Sequence, residues 1–343
     1  MSSPPDVDAA QMQTIRDGLF FIVGPHRSGT TLLQAMLSSH SRLTVPPETG
    51  YFDQVWPRRS ALGSLTDPAN LERVGRFVNG PDCAVSDLQL DWSQVIATLA
   101  LSPRGYEDLF VAILASYAQE RGKRRAGEKS PRHIFAVTEL SRLYPRAKFL
   151  CLIRDPRAVV CSERKTSWGS KSVLRITRRW CRVVDAAERL ESSLSPDRFR
   201  VIRYEELIAD PEAQLRSGCE FLGESFEPQM LQFHERSEAE RGFRDDEVWK
   251  ENTLGVVDRD RAERWRSGLT EAQVQLIETL AGSRMRRCGY GLVESSVVRR
   301  RIVWTYIADY YRWCYELVTG VLKGRSRRRP WSSVWRDVWR WSS

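Results

Sequence analysis

The sequence predicts an α/β fold, a P-loop NTPase-like three-layer arrangement around a central parallel sheet, followed by a basic, tryptophan-rich helical tail. Three observations predict it. Short apolar runs, LFFIV (19–23) and KFLCLI (148–153), suit parallel strands covered on both faces. Segments of helical period separate such runs. The first run also enters a glycine-spaced turn, GPHRSGTT (24–31), that opens at once into a helix.

The elements follow in order. After a polar lead (1–17), LFFIV forms the first strand, and TLLQAMLSSH (31–40) places Leu32, Leu33, Met36 and Leu37 on one helical stripe. Residues 51–107, rich in Pro, Gly, Asp and Ser with weak periodicity, read as an inserted lid or acceptor-binding segment. Helical stretches lie around 108–121, 133–143, 156–166 and 172–193, and FRVIRYEEL (199–207) contains a third strand. Residues 269–291 read as a capped helix, with Thr270 at the N-cap and an end near Gly289. The expected organisation is one α/β domain over 18–293 and a tail over 294–343.

Composition narrows the class. The chain has 343 residues, 41% hydrophobic and 28% charged, enough for a substantial core. No run approaches the eighteen apolar residues of a membrane span, and the first residues lack a basic-then-apolar signal pattern. Seven cysteines without a C-x-x-C pair suit reduced thiols and a cytoplasmic location. The formal charge of +9 is concentrated: from Arg299 onward there are eleven Lys/Arg against three Asp/Glu. The body is therefore nearly neutral, and its charge gives no reason to expect a specific nucleic-acid partner.

The turn is the chemically informative feature. A P-loop of the G-x-x-x-x-G-K-[ST] type uses its lysine on the β/γ-phosphates and its hydroxyl on Mg²⁺. Gly24 and Gly29 keep that spacing, but Thr30 replaces the lysine and Arg27 brings a positive charge earlier in the loop. The amides of Ser28, Gly29, Thr30 and Thr31 open the helix, whose dipole favours an anion. Alone, the stretch could still be an ordinary strand–turn–helix.

With its PHRSGTT core, the loop resembles that of the sulfotransferases that use 3′-phosphoadenylyl sulfate (PAPS), especially the branch containing the tyrosylprotein sulfotransferases. The resemblance implies that Gly24, Arg27, Ser28, Gly29, Thr30 and Thr31 wrap the 5′-phosphosulfate. PAPS has no γ-phosphate, so a guanidinium and amides can replace the lysine–Mg²⁺ pair, and no metal is expected. LIRDPRAVVCS (152–162) resembles the family's second signature, which makes Arg154 and Ser162 the 3′-phosphate ligands. Taken alone, RDPRA could be a helix opening with Asp155 as cap and Pro156 in the first turn. Glu48 in PPETGYF, twenty-one residues after Arg27, stands where that branch has its general base. A histidine such as His133 is the competing base.

Lys129 in GEKSPRH, twenty-five residues before Arg154, matches the lysine expected to stabilise charge on the bridging oxygen and the transferring sulfuryl group. Tyr204 in YEELIADP would approach the nucleotide, and Lys250, Asn252 and Arg264 fall in a late loop expected to close over PAPS. Gly50 occupies the place where the tyrosylprotein branch carries an arginine, so PAPS chemistry carries over and a peptide tyrosine acceptor does not. Saccharide, lipid, small metabolite and peptide hydroxyls all stay open as acceptors. Two other readings remain: an ATP/Mg²⁺ kinase-like enzyme, and a catalytically inactive nucleotide-binding protein docked on membranes.

The tail lies beyond the resemblance. It holds six of the twelve tryptophans, and Val303, Ile307, Tyr310, Cys314, Leu317 and Val321 outline an amphipathic helix. Trp331, Trp335 and Trp339 follow at a four-residue spacing. Trp with Arg is the composition of an interfacial membrane helix, and the same pattern suits a helix packed on the body or on a second subunit.

Overall fold

The computed structural model describes residues 7–235, 258–294 and 297–322. Lys250, Asn252 and the run from Trp331 to Trp339 lie outside the described residues. The chain divides into two compact units, Met1–Arg154 with Arg182–Ala262, and Asp155–Cys181 with Glu263–Ser343.

The first unit carries the sheet. Strands β1 (Phe20–Val23), β2 (Leu43–Thr44), β3 (Arg125–Lys129), β4 (Lys148–Ile153) and β5 (Phe199–Arg203) are all parallel, in the order β2-β3-β1-β4-β5. The three strands anticipated from apolar runs are present. β2 and β3 are additional. β3 reads RAGEK and is buried throughout, so its charge concealed it from a hydrophobicity pattern. Its Arg125 is satisfied by the carbonyls of Gly18 and Leu222 and by Glu224, at 2.9 to 3.1 Å. Gly127 leaves room for the Phe20 ring of the neighbouring strand, which a Cβ would meet at 2.3 Å.

Alternation along β1 feeds two cores. Phe20 and Ile22 join Leu33, Met36, Leu150, Leu207 and Leu215 in one buried cluster. Phe21 faces the other way, stacking on Phe149 at 5.2 Å and on Phe110 at 6.1 Å, between ring centroids. All four β1 side chains are buried, contributing about 2 kcal/mol each by removal of apolar surface from water. The lead contains a helix, Ala9–Asp17, that buries Met12 and Ile15. Residues 51–107 are largely helical, including Pro68–Val78 and Trp92–Leu99, each opened by an aspartate N-cap.

In the second unit the helix Pro156–Arg164 begins as RDPRA allows, with Asp155 accepting from the Arg157 amide at 2.8 Å and Pro156 in the first turn. Arg157 bridges Asp155 and Glu278 and lies 4.0 Å from the Trp265 ring centroid, so the buried charges are mutually satisfied. Thr270 caps the helix Glu271–Arg287 through a capping box with Gln273. The helix Arg299–Leu322 ends the described chain.

Candidate active site

Strand order assembles the site. β3 and β4 flank β1, so the carboxyl ends of three neighbouring strands deliver Lys129, the glycine loop and Arg154 side by side. Adjacent strands lie about 4.8 Å apart, so the outer two are separated by roughly 10 Å, a span suited to an extended charged ligand.

The loop requires its glycines. Gly24 adopts φ +142°, and a Cβ there would lie 2.2 Å from the Leu152 carbonyl oxygen of β4. Its amide donates to the Pro131 carbonyl at 3.2 Å, tying the loop to the chain leaving β3. Gly29 caps the helix Thr30–Ser38 at φ +90°, without any side-chain cap, and the first turn holds no acidic residue. The opening amides therefore lack the side-chain acceptor that usually occupies this position. Arg27 also takes a left-handed conformation, φ +66°, uncommon for a residue with a side chain. The Ser28 hydroxyl is buried within the loop and has no hydrogen-bond partner among the described residues. An uncapped helix start with an orphaned hydroxyl fits an anionic ligand.

Arg154, at the end of β4, turns back over the loop. Its Nη1 donates to the Arg27 carbonyl at 3.1 Å and its Nη2 to the Arg261 carbonyl at 2.8 Å. The guanidinium lies 4.2 Å from the Tyr204 ring centroid, a cation–π contact. Tyr204 in turn packs on Gly29, where an added Cβ would meet the ring at 2.3 Å. Arg154, Tyr204 and the loop thus form one interlocked platform. Arg261 was not among the residues singled out in the late loop around Arg264; its contribution here is a backbone carbonyl, which no side-chain motif discloses.

On the other flank Lys129 is fully buried and its Nζ lies 2.5 Å from Glu48 Oε1, while the Glu48 side chain stays 44% exposed. A buried ammonium beside a half-exposed carboxylate is a charge pair with one open side. Beneath it is a feature the sequence did not disclose. Glu128 is wholly buried, and its Oε1 accepts from Ser130 Oγ at 2.6 Å and from Thr49 Oγ1 at 3.0 Å. Thr49 and Ser130 are the chain neighbours of Glu48 and Lys129, so Glu128 ties together the two segments that present the pair. Burial pushes its carboxyl up to about 7, partly offset by these two hydrogen bonds.

His133 lies in the same buried region, with Nδ1 3.9 Å from Glu128 Oε1 and its ring edge-on to Phe52. Neither ring nitrogen has a hydrogen-bond partner among the described residues, and burial lowers its pKa to about 4. It is therefore a neutral, enclosed ring at pH 7.

The first unit thus brings together Gly24, Arg27, Ser28, Gly29, Thr30, Thr31, Glu48, Lys129, Arg154 and Tyr204. Ser162 and Arg264 belong to the second unit. Ser162 is half-buried on the helix Pro156–Arg164, and the Arg264 side chain is exposed at the start of Trp265–Gly268.

Comparison with known proteins agrees with this architecture. The chain is 29% identical over 294 residues to nodulation protein NoeE of Sinorhizobium fredii, covering 77% of this chain and 63% of that protein. It is 26% identical over 223 residues to the protein-tyrosine sulfotransferase of Drosophila melanogaster, covering 63% of this chain and 40% of that one. The match thus spans less than two thirds of either relative. Among solved structures, the sulfotransferase domain of the Synechococcus PCC 7002 olefin synthase superposes with a TM-score of 0.51 and 26% identity, over 77% of this chain and 94% of that domain. The model of the sulfotransferase family matches residues 20–228, from β1 through the chain that follows β5. With more than half of its length so matched, the chain belongs to the sulfotransferase family.

Proposed function

We propose that the protein transfers a sulfuryl group from PAPS to an acceptor hydroxyl and releases adenosine 3′,5′-bisphosphate. The observation that carries this reading is the Lys129–Glu48 pair beside an uncapped, arginine-bearing loop of P-loop type. The loop amides and Arg27 hold the 5′-phosphosulfate, and Arg154 holds the 3′-phosphate. The acceptor oxygen attacks sulfur in line as the bond to the bridging phosphate oxygen breaks. Glu48 takes the acceptor proton, and Lys129 offsets the negative charge appearing on the bridging oxygen. Glu48 suits the base role better than His133, because it is half-exposed and beside the lysine, whereas the imidazole is enclosed and weakly basic.

The test is calorimetric titration of adenosine 3′,5′-bisphosphate against ADP, on wild type and Arg154→Ala. Loss of two charge-assisted phosphate bonds weakens binding by roughly 2–4 kcal/mol, and ADP binding changes little. Arg154→Lys, which keeps the charge but not the fork, falls in between. Equal affinity of wild type for both nucleotides would overturn the assignment, as would turnover that requires ATP and stops in excess chelator. Tight binding without transfer of labelled sulfur to any hydroxyl would leave a nucleotide-binding protein rather than an enzyme.

A further inference from the structure

We infer that the outward face of the helix Arg299–Leu322 is a docking surface for an anionic lipid bilayer. The two acidic residues of this helix are both turned toward its own unit. Asp309 accepts from Ser172 Oγ at 2.6 Å, Val173 N at 3.0 Å and Leu174 N at 2.8 Å, capping the start of the helix Val173–Ser193. Glu316 accepts from Ser170 Oγ and Lys171 N, each at 2.6 Å, and pairs with Arg175 at 3.3 Å. Trp313, on the same side, is buried, with Arg178 5.4 Å from its ring centroid. The inner face is therefore committed.

The outer face is different. Trp304, Tyr311, Tyr315 and Val318 are 65%, 69%, 69% and 57% exposed. Their spacings of seven, four and three residues place them within about 60° of arc, at about 100° per residue. Arg300 lies within that stripe, Arg301 and Arg312 lie along one edge, and all three are exposed. Because the acids face inward, this stripe presents aromatic rings and cations with no counter-charge of its own. Aromatic rings that sit at the headgroup level, flanked by arginines, are the chemistry of an interfacial helix.

Charge selects the occupant. Residues 323–343 contain seven Lys/Arg against one Asp, together with four tryptophans. Folding that segment onto the stripe, or packing two stripes face to face, would set cations against cations. An anionic bilayer instead attracts stripe and segment together. No described helix is long and apolar enough to cross a membrane.

The experiment is co-sedimentation of the full chain with vesicles of phosphatidylcholine alone, and with vesicles containing about one-third phosphatidylglycerol. The variants are Trp304→Ser/Tyr311→Ser/Tyr315→Ser and Arg300→Gln/Arg301→Gln, both altering exposed side chains and leaving 323–343 intact. Binding is expected to the anionic vesicles only and to weaken as salt rises from about 0.05 to about 0.5 M. Each variant should lose about tenfold or more in affinity while keeping wild-type circular dichroism. Equal binding to neutral vesicles, no binding, or variants that bind like wild type would overturn the inference. So would a wild-type dimer that the aromatic variant converts to monomer, since a second copy would then cover the face.

Discussion

Substituting Glu128 by glutamine should remove a loss of stability that the wild type suffers as pH rises from about 4.5 to 7. The carboxyl is held near 7 in the folded state against an ordinary value of 4.5, chiefly by burial. Between those values the folded protein holds a proton that the unfolded chain releases. Stability present below pH 4.5 is therefore lost as pH rises toward 7, and the loss is complete above it. A shift of about 2.5 units corresponds to on the order of 3 kcal/mol. Glutamine keeps an acceptor for Ser130 and Thr49 but cannot ionise. Its amide also introduces buried donors, so the informative quantity is the change with pH rather than the offset at any one pH. Urea unfolding of wild type and Glu128→Gln from pH 4.5 to 8.5 measures it. The variant's stability relative to wild type should rise by about 3 kcal/mol across the range. His133 supplies an internal control: its pKa, lowered to about 4, removes stability as pH falls below 6.5, and that acid limb should persist in both proteins. Parallel curves across the whole range would refute the idea that folding raises the Glu128 carboxyl and keeps its proton between about pH 4.5 and 7.

Further outcomes follow from the same geometry. Lys129→Met should lower kcat about 10²–10³-fold with little change in affinity for adenosine 3′,5′-bisphosphate, and a loss confined to nucleotide binding would reassign the lysine. Glu48→Gln should lower kcat about 10²–10⁴-fold, whereas near-normal turnover would return the base role to another group. Gly29→Ala should destabilise by about 1–3 kcal/mol in thermal unfolding, because φ is +90° and the new methyl would strike Tyr204; an unchanged Tm would show that the platform yields easily. Glu128→Leu, which removes the acceptor for both Thr49 and Ser130, should lower kcat well below that of Glu128→Gln, because the two segments presenting Glu48 and Lys129 lose their tie.

What the sequence determined by itself was local. The apolar strands, the glycine spacing, the helix start after Gly29, the Asp155–Pro156 opening and the Thr270 cap are each written within a few consecutive residues. The resemblance to the sulfotransferases, whose motif spacings these positions match, nominated Arg27, Glu48, Lys129 and Arg154 as one set. Tertiary structure decided what happens to charge. RAGEK carries no apolar run to mark it as a strand, yet it is an inner strand, because Arg125 meets the Leu222 carbonyl 97 residues away, Lys129 meets Glu48 at 81, and Glu128 meets Thr49 at 79. Burying a charge is costly unless a partner is supplied, and these partners come from elements distant in the chain. The same reason hid Arg261 beside Arg154 and the stacking of Tyr204 on Gly29. It also governs the terminal helix. Its helical run was legible, but the stripe read from it through Val303 and Tyr310 is not the buried face, those two being 48% and 46% exposed; the inward face was decided by Asp309 and Glu316 finding amides and hydroxyls on residues 170–174, more than 130 positions earlier.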